Sequence, residues 1–406
     1  MAGRRPNAGS LCGTFQRGRT LCPGDPEKMV ARPLTVVQML PELEAGGVER
    51  GTLELGKYLV RQGHRSLVIS GGGRLVPQLE LEGSEHFLWD VGRKNLLTLK
   101  YIPILRKFLV QEKVDILHLR SRLPAWVGYL AWKNLAENIR PRLVTTFHGF
   151  YSVNKYSAVM IKGERIIAIS KEIQQHIQNV YKVPDEKIVL IHRGVDTDLF
   201  NPAKVSADRV QTLQAAWGIR SQKIPLIMLP GRITSWKGHD IFFRSLAAIK
   251  DLKWLAVCVG ELDTTSAYVK HLLTMRRELQ LEKRVLFAGH CDDMPAAYLL
   301  ADIVVSASSS QAEAFGRIAV EAQAMGRPVV ATAHGGSIET VLDGKTGWLV
   351  SPGNEAEMGR ALRVALTDPS IMEVYGSNAA CWVRENFTLN RMCEQTLTLY
   401  HSLVDP

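Results

Sequence analysis

The 406-residue sequence has no run approaching the ~18 apolar residues that a bilayer-spanning helix requires, so no transmembrane segment is expected. Its six cysteines form no Cys-x-x-Cys pair and no Cys/His cluster at zinc spacing, which excludes a disulfide scaffold and a structural zinc module. A reducing cytoplasm is the simplest setting. The first apolar run is not followed by Gly-x-Gly-x-x-Gly, which argues against a nicotinamide enzyme. Acidic residues are missing before Asp25, while Arg4, Arg5, Arg17 and Arg19 are present, and residues 1–28 hold no apolar stretch of the kind a secretory signal needs. That segment reads as a disordered tail or as residues ahead of a true start at Met29, and its removal is expected to leave folding and activity intact.

What is present is ordinary globular material: 46% hydrophobic and 22% charged residues, in a chain long enough for two or three domains. The net charge of +10 is unevenly placed. Residues 1–205 carry 30 Lys+Arg against 19 Asp+Glu, a balance of +11, and residues 206–406 carry 20 against 21, a balance of −1. A basic first half suits an anionic membrane surface or a phosphorylated acceptor. Charge alone would also suit nucleic acid, but no binding module or clustered basic helix supports that partner.

From Pro33 onward, short β-branched runs alternate with amphipathic stretches, the pattern of an α/β protein with parallel sheets covered by helices. Strands are expected over Leu34–Leu40, His64–Ser70, Glu85–Val91, Val114–Leu119, Arg142–Phe147, Arg165–Ile169 and Lys187–Ile191. Helices are expected over Val48–Gln62, Leu96–Glu112, Pro124–Asn138 and Lys171–Tyr181. Asp196 to Ala203 breaks the pattern as a linker, and a second set follows. Its strands are Pro225–Leu229, Trp254–Val259, Arg284–Phe287, Asp302–Ser306, Pro328–Thr332 and Gly347–Val350. Its helices are His239–Ile249, Ser266–Leu279, Phe315–Met325, Ala356–Thr367 and Ser370–Asn386. The reading is two Rossmann-like, doubly wound domains, 29–200 and 201–386, facing an interdomain crevice. A last helix within 387–406 is expected to pack back across the junction.

Three segments carry chemistry. Gly46-Gly47 opens the first helix, where backbone N–H groups can approach a phosphate or a sugar; a tight turn explains the glycines equally well. Gly231, Arg232 and Lys237 leave the first strand of the second domain, and the two cations can converge on one diphosphate. Glu313 and Glu321 flank seven residues that include Phe315 and Gly316, with Glu321 two turns along a helix and about 12 Å from Glu313 by helical rise. Such a pair can hydrogen-bond the two sugars of a nucleotide sugar, and Glu321 in its apolar run reads as a buried, partnered carboxylate.

These segments together resemble the retaining glycosyltransferases of family 4, which have the GT-B fold. The resemblance runs from Pro33 to Pro406 and includes Gly46-Gly47-Val48-Glu49, His148-Gly149, Arg232, Lys237, the Glu313 to Glu321 element, Gly335-Gly336, Glu339 and Asp343-Gly344-Lys345-Thr346-Gly347. It implies that Glu313 contacts the donor sugar and Glu321 the ribose. It also implies that Phe315 and Gly316 offer backbone amides, that Arg232 and Lys237 hold the diphosphate, and that His148 lies near the reacting face. The implied co-substrate is a UDP- or GDP-linked hexose, with no further cofactor and no metal. Arg193 departs from the family's common Asn, and Ala314 replaces a common Gly.

Acceptor recognition falls to the basic half. Arg93, Lys94, Lys100, Arg106 and Lys107 accompany Leu96, Leu97, Leu99 and Leu105, either as a basic amphipathic face for anionic lipid or, the better reading, as a helix covering the sheet. Arg120, Arg122, Tyr151 and Lys155 are further acceptor candidates. The expected activity is transfer to a lipid-linked or lipopolysaccharide-type glycan at the inner membrane face. The alternatives are an epimerase or hydrolase of the same fold, or a non-catalytic sensor of sugar nucleotides.

Overall fold

The computed structural model describes residues 32–44, 46–219 and 224–405, so the expectation for residues 1–28 lies outside the described residues. Residues 33–406 form one compact unit. Its first sheet contains β1 (Thr35–Met39), β2 (Arg65–Ser70), β3 (Glu85–Leu88), β4 (Ile116–Leu119), β5 (Arg142–Phe147), β6 (Arg165–Ala168) and β7 (Ile188–Leu190). The second contains β8 (Leu226–Pro230), β9 (Leu255–Val259), β10 (Val285–Gly289), β11 (Ile303–Ser306), β12 (Val329–Thr332) and β13 (Gly347–Val350). The orders are β3-β2-β1-β4-β5-β6-β7 and β10-β9-β8-β11-β12-β13, and the pairings are parallel. These are two Rossmann-like domains.

The apolar runs become central strands because a parallel sheet is covered on both faces: all four residues of β4, β11 and β12 are buried. In the first domain the covering helices are α1 (Gly47–Arg61), α2 (Val76–Leu81), α3 (Tyr101–Gln111), α4 (Arg122–Lys133) and α5 (Lys171–Tyr181). Beyond it come α6 (Ala207–Ala216), α7 (His239–Ala247), α8 (Ala267–Glu278), α9 (Met294–Leu300), α10 (Arg317–Ala324), α11 (Ser337–Thr340), α12 (Glu355–Thr367), α13 (Pro369–Asn386) and α14 (Leu389–Val404). Strand order reverses at β1/β4 and at β8/β11, and the loops leaving those strands open onto the crevice between the domains.

Several expectations need correction. The helix expected over Leu96–Glu112 is a 3₁₀ turn, Leu96–Lys100, followed by α3, in whose first turn Pro103 sits without a missing hydrogen bond. Leu105, Phe108 and Leu109 cover the sheet, but Leu96, Leu97 and Leu99 are 84%, 71% and 51% exposed, so covering the sheet does not explain them. The helix expected over Pro124–Asn138 begins at Arg122 and ends at Lys133. The helix expected from Phe315 begins at Arg317, so Glu313 lies in the preceding loop as expected, but Glu321 is one turn inside rather than two. Their spacing is therefore not a helical rise. The short helices α2 and α9, along with α6 and α11, were not anticipated.

The last helix returns to the first domain. Met392, Cys393, Leu399, Tyr400 and Leu403 of α14 share a core with Leu34, Val36, Ile116, Val144 and Ile167 beneath the first sheet. The Tyr400 hydroxyl lies 2.7 Å from His118 Nδ1, and His118 Nε2 lies 2.6 Å from Thr146 Oγ1, so this fully buried imidazole is satisfied at both nitrogens. Burial pushes the His118 pKa well below its ordinary value, with the Arg120 charge adding to it, so the ring is neutral. Tyr400→Phe leaves one ring nitrogen unpaired and should destabilise the protein by about 1–3 kcal/mol. Urea unfolding of the two proteins checks this; an unchanged midpoint would remove α14 docking from the account.

Candidate active site

The crevice is built where the switch-point strands end. Beyond β1, the chain reaches Gly46 and starts α1 at Gly47; beyond β11 it passes Ser308 and Glu313 and starts α10 after Gly316. Both helices therefore present unpaired backbone N–H groups and the positive end of the helix dipole to the same cavity, which has a volume of about 800 Å³ and is lined by Gly47, Gly316 and Arg317. Gly316 has φ +81°, a left-handed conformation that a β-carbon would strain. Gly46 and Gly47 are different: Gly46 is extended, and a β-carbon on Gly47 would meet nothing within 4 Å. The polypeptide does not itself require a glycine at 47, so the room beside it opens to the crevice.

The Glu313 loop is held by the second glycine pair. Gly336 N–H donates to the Glu313 carbonyl at 2.8 Å, and a β-carbon on Gly336 would fall 2.3 Å from Phe315 Cα. Clamped in this way, the Glu313 side chain accepts from Lys237 Nζ at 2.5 Å and from Ser308 Oγ at 2.7 Å. Lys237 also lies 4.3 Å from the centre of the Trp236 ring. An ammonium has three donors, so Lys237 keeps capacity for an anion while paired with Glu313. Arg232 lines the same cavity and is exposed to it.

A second cavity of about 660 Å³ adjoins the first, sharing Gly47, Arg232 and Arg317, and contains Gly231, Tyr298 and Glu321. Both oxygens of Glu321 are engaged: Oε1 accepts from Arg317 Nε at 2.7 Å and Oε2 from the Tyr298 hydroxyl at 3.0 Å. Burial, reinforced by the adjacent Glu321 charge, pushes the Tyr298 pKa well above its usual value and keeps the hydroxyl a donor.

The first domain supplies His148, Arg193 and Arg120. Burial pushes the His148 pKa well below its normal value, and the charges of Arg120 and Arg193 add to this; its Nε2 has no hydrogen-bond partner among the described residues. Arg193, where the family commonly has Asn, is buried and lines the first cavity; its Nη2 donates to the Gly47 carbonyl and its Nη1 lies 3.5 Å from His148 Nδ1. Burial brings its pKa down to about 10, so it stays charged at neutral pH. Arg120, expected at an acceptor or membrane surface, is only 4% exposed and donates to Gln38 Oε1 at 2.8 Å; its charge faces the interior and cannot reach a lipid. Arg122 stacks over the rings of Tyr151 and Tyr156 at 5.0 and 5.2 Å.

His148, Glu313, Arg232, Lys237, Gly47, Gly231, Phe315, Gly316 and Glu321 thus line two adjoining cavities, whereas Gly46, expected beside the donor, lines neither. Arg93, Lys94, Lys100, Arg106, Lys107 and Lys155 are exposed and line neither. Sequence reading missed Arg317, Tyr298 and Trp236; of these, only the Arg317 to Glu321 spacing of four helical residues was available as a signal. Among the described residues no cluster of three or more His, Cys, Asp or Glu is arranged for a metal ion. The Asp196-Thr197-Asp198 tripeptide is engaged locally, Asp196 with the backbone of Asp198 and Leu199, and Asp198 with Lys204.

Two parallel-sheet Rossmann-like domains around one crevice define the GT-B class. The model described as Glycosyltransferase Family 4 matches residues 45–199, and that described as Glycosyl transferases group 1 matches residues 211–382. The crystal structure of a glycosyltransferase from Rickettsia africae is 32% identical, covers 92% of this chain and 99% of its own, and superposes with a TM-score of 0.85. This chain belongs to the GT-B glycosyltransferases of the family 4 type. The D-inositol 3-phosphate glycosyltransferase of Mycobacterium sp. (strain JLS) is 34% identical over 255 residues, 58% of this chain and 55% of that protein. The lipopolysaccharide core biosynthesis mannosyltransferase LpcC of Rhizobium leguminosarum is 30% identical over 220 residues, 53% of this chain and 60% of that protein. The chain thus spans little more than half the length of these curated relatives.

The domains are also tied at the crevice's edge. Glu339 of α11 lies 2.6 Å from His192 Nε2 through Oε2 and accepts the Glu172 N–H at the start of α5 at 3.3 Å. Burial pushes its pKa up, but hydrogen bonds from His192 and the backbone of Lys171 and Glu172 outweigh that and hold it below the ordinary value. A carboxylate with a depressed folded pKa stabilises above its unfolded pKa and loses that contribution as pH falls through the folded one. The stability gap between wild type and Glu339→Gln should therefore be widest above the unperturbed Glu value of about 4.3 and close on acidification, as read by thermal unfolding across pH. A gap independent of pH would contradict the assignment.

Proposed function

We propose that the protein is a retaining, metal-independent glycosyltransferase that moves a hexose-type sugar from a UDP- or GDP-linked donor to a lipid-linked or lipopolysaccharide-type glycan. The observation that carries this reading is the convergence of two glycine-preceded helix N-termini, Lys237 and Arg232 on one crevice, an arrangement suited to the charge that develops on a departing diphosphate. In this reading Glu321 takes the ribose hydroxyls, Glu313 the donor sugar, and the neutral His148 the reacting face. The C1–phosphate bond breaks on the face where the acceptor oxygen bonds to C1, and the acceptor proton passes to the leaving phosphate oxygen. No protein nucleophile is needed.

The anionic character of the acceptor is supported by the charge imbalance between the two halves and by the names of the relatives, one of which acts on an inositol phosphate and another in lipopolysaccharide core synthesis. Membrane association at the cytoplasmic face is supported by the exposed Leu96, Leu97 and Leu99 among Arg93, Lys94 and Lys100. Among the described residues no helix is long and apolar enough to cross a membrane.

With EDTA present, one UDP- or GDP-sugar should stabilise the protein by about 2.7 kcal/mol at a hundred times its dissociation constant. Both that shift and nucleoside diphosphate release in the presence of acceptor should be lost in Lys237→Ala. No shift with any donor would overturn the reading. Flotation with anionic vesicles at low salt should retain the protein, and Leu96→Ser/Leu97→Ser should reduce retention; failure to float even at low salt would remove the membrane component.

A further inference from the structure

The ribose-side carboxylate is connected to the opposite domain. Arg317, the first residue of α10, donates through Nε to Glu321 at 2.7 Å and reaches through Nη2 to Glu54 Oε1 at 3.4 Å. Glu54 lies on α1 in the first domain, two turns beyond Gly47, and its side chain is only 15% exposed. Its other oxygen, Oε2, is buried without a hydrogen-bond partner among the described residues, and its charge acts on Arg193 as well. One carboxylate therefore joins the two helices whose N-termini share the cavity, although they are 263 residues apart in sequence at this contact.

We infer that Glu54, which lines neither of the two crevice cavities, is a positioning residue for the nucleotide: by holding one arm of the Arg317 guanidinium, it sets how Arg317 engages Glu321. The inference rests on the nucleotide-sugar reading of the crevice. A planar guanidinium beside a single carboxylate favours a two-pronged pairing that takes both oxygens. Here the fork is divided, with Nε on Glu321 and Nη2 on Glu54, while the Tyr298 hydroxyl occupies Glu321 Oε2. Each Glu321 oxygen then retains a lone-pair site for a ribose hydroxyl. Without the Glu54 charge, Arg317 is free to close its fork on Glu321 and compete with the ribose. Donor affinity is thereby coupled to the contact between Glu54 of α1 and Arg317 of α10, although Glu54 makes no contact with the donor.

The test is calorimetric binding of UDP and GDP and of their 2′-deoxy analogues to the full chain. Wild type should bind one ribonucleotide and prefer it to its deoxy form. Glu54→Gln should weaken ribonucleotide binding about tenfold, the scale of one charged hydrogen bond, while binding the deoxy form nearly as before, so that the ribose preference shrinks. Glu54→Asp, which keeps the charge, should recover part of the preference and covers the case in which Glu54→Gln does not fold. Glu54→Gln/Arg317→Gln should discriminate no worse than Arg317→Gln alone. An unchanged ribose preference in Glu54→Gln, or an equal loss for both forms as a merely structural role would give, overturns the inference and leaves the nucleotide reading intact. Failure of wild type to bind either ribonucleotide overturns both.

Discussion

Two helices that begin at glycines aim their unpaired N–H groups into one crevice, and the rest of the site follows from that electrostatic constraint. The backbone of α1 and α10 concentrates positive potential there, and Lys237, Arg232, Arg193 and Arg317 add full charges to the same lining. So many cations around a partly desolvated space repel one another unless anions balance them. Glu313, Glu321 and Glu54 supply the balance, each hydrogen-bonded to or paired with one of these cations. A nucleoside diphosphate is the kind of ligand that would share those cations without displacing every internal partner.

Holding two sheets so that their switch points share one crevice requires ties beyond the residues that line it. The structure places these in pieces far apart in sequence: α14 on the underside of the first sheet with Tyr400 against His118, Glu339 at the start of α5, and Glu54 on Arg317. The first is a large apolar contact and the other two are charged. Apolar contact fixes the docking of the last helix, whereas the charged ties sit beside the crevice, where salt screens them.

The fold was largely legible because parallel strands buried on both faces read as unbroken apolar runs; β5 and the strand spans nearest the switch points are recovered within a residue or two. Helices α2 and α9 escaped notice because they hold 6 and 7 residues and carry a proline in the first turn. The ordered motifs named Gly47, His148, Arg232, Lys237, Glu313, Phe315, Gly316 and Glu321 of the cavity lining, because their order along the chain is more specific than any one of them. Burial of Arg120 was not legible, because a charge in a sequence carries no record of the Gln38 that satisfies it. Nor was the Glu54–Arg317 contact, which only the docking of two domains creates, or the exposure of Leu96, Leu97 and Leu99, which look like core residues by composition alone.

The measurement that bears most directly on the central claim is hydrogen–deuterium exchange of the full chain with and without a saturating nucleotide sugar in EDTA. The account predicts slowed exchange in three separate segments at once, around Gly46 to Val48, Gly231 to Gly238 and Glu313 to Glu321, on both sides of the crevice. Protection confined to one domain, or lying outside these segments, would contradict a donor held between the two helix N-termini.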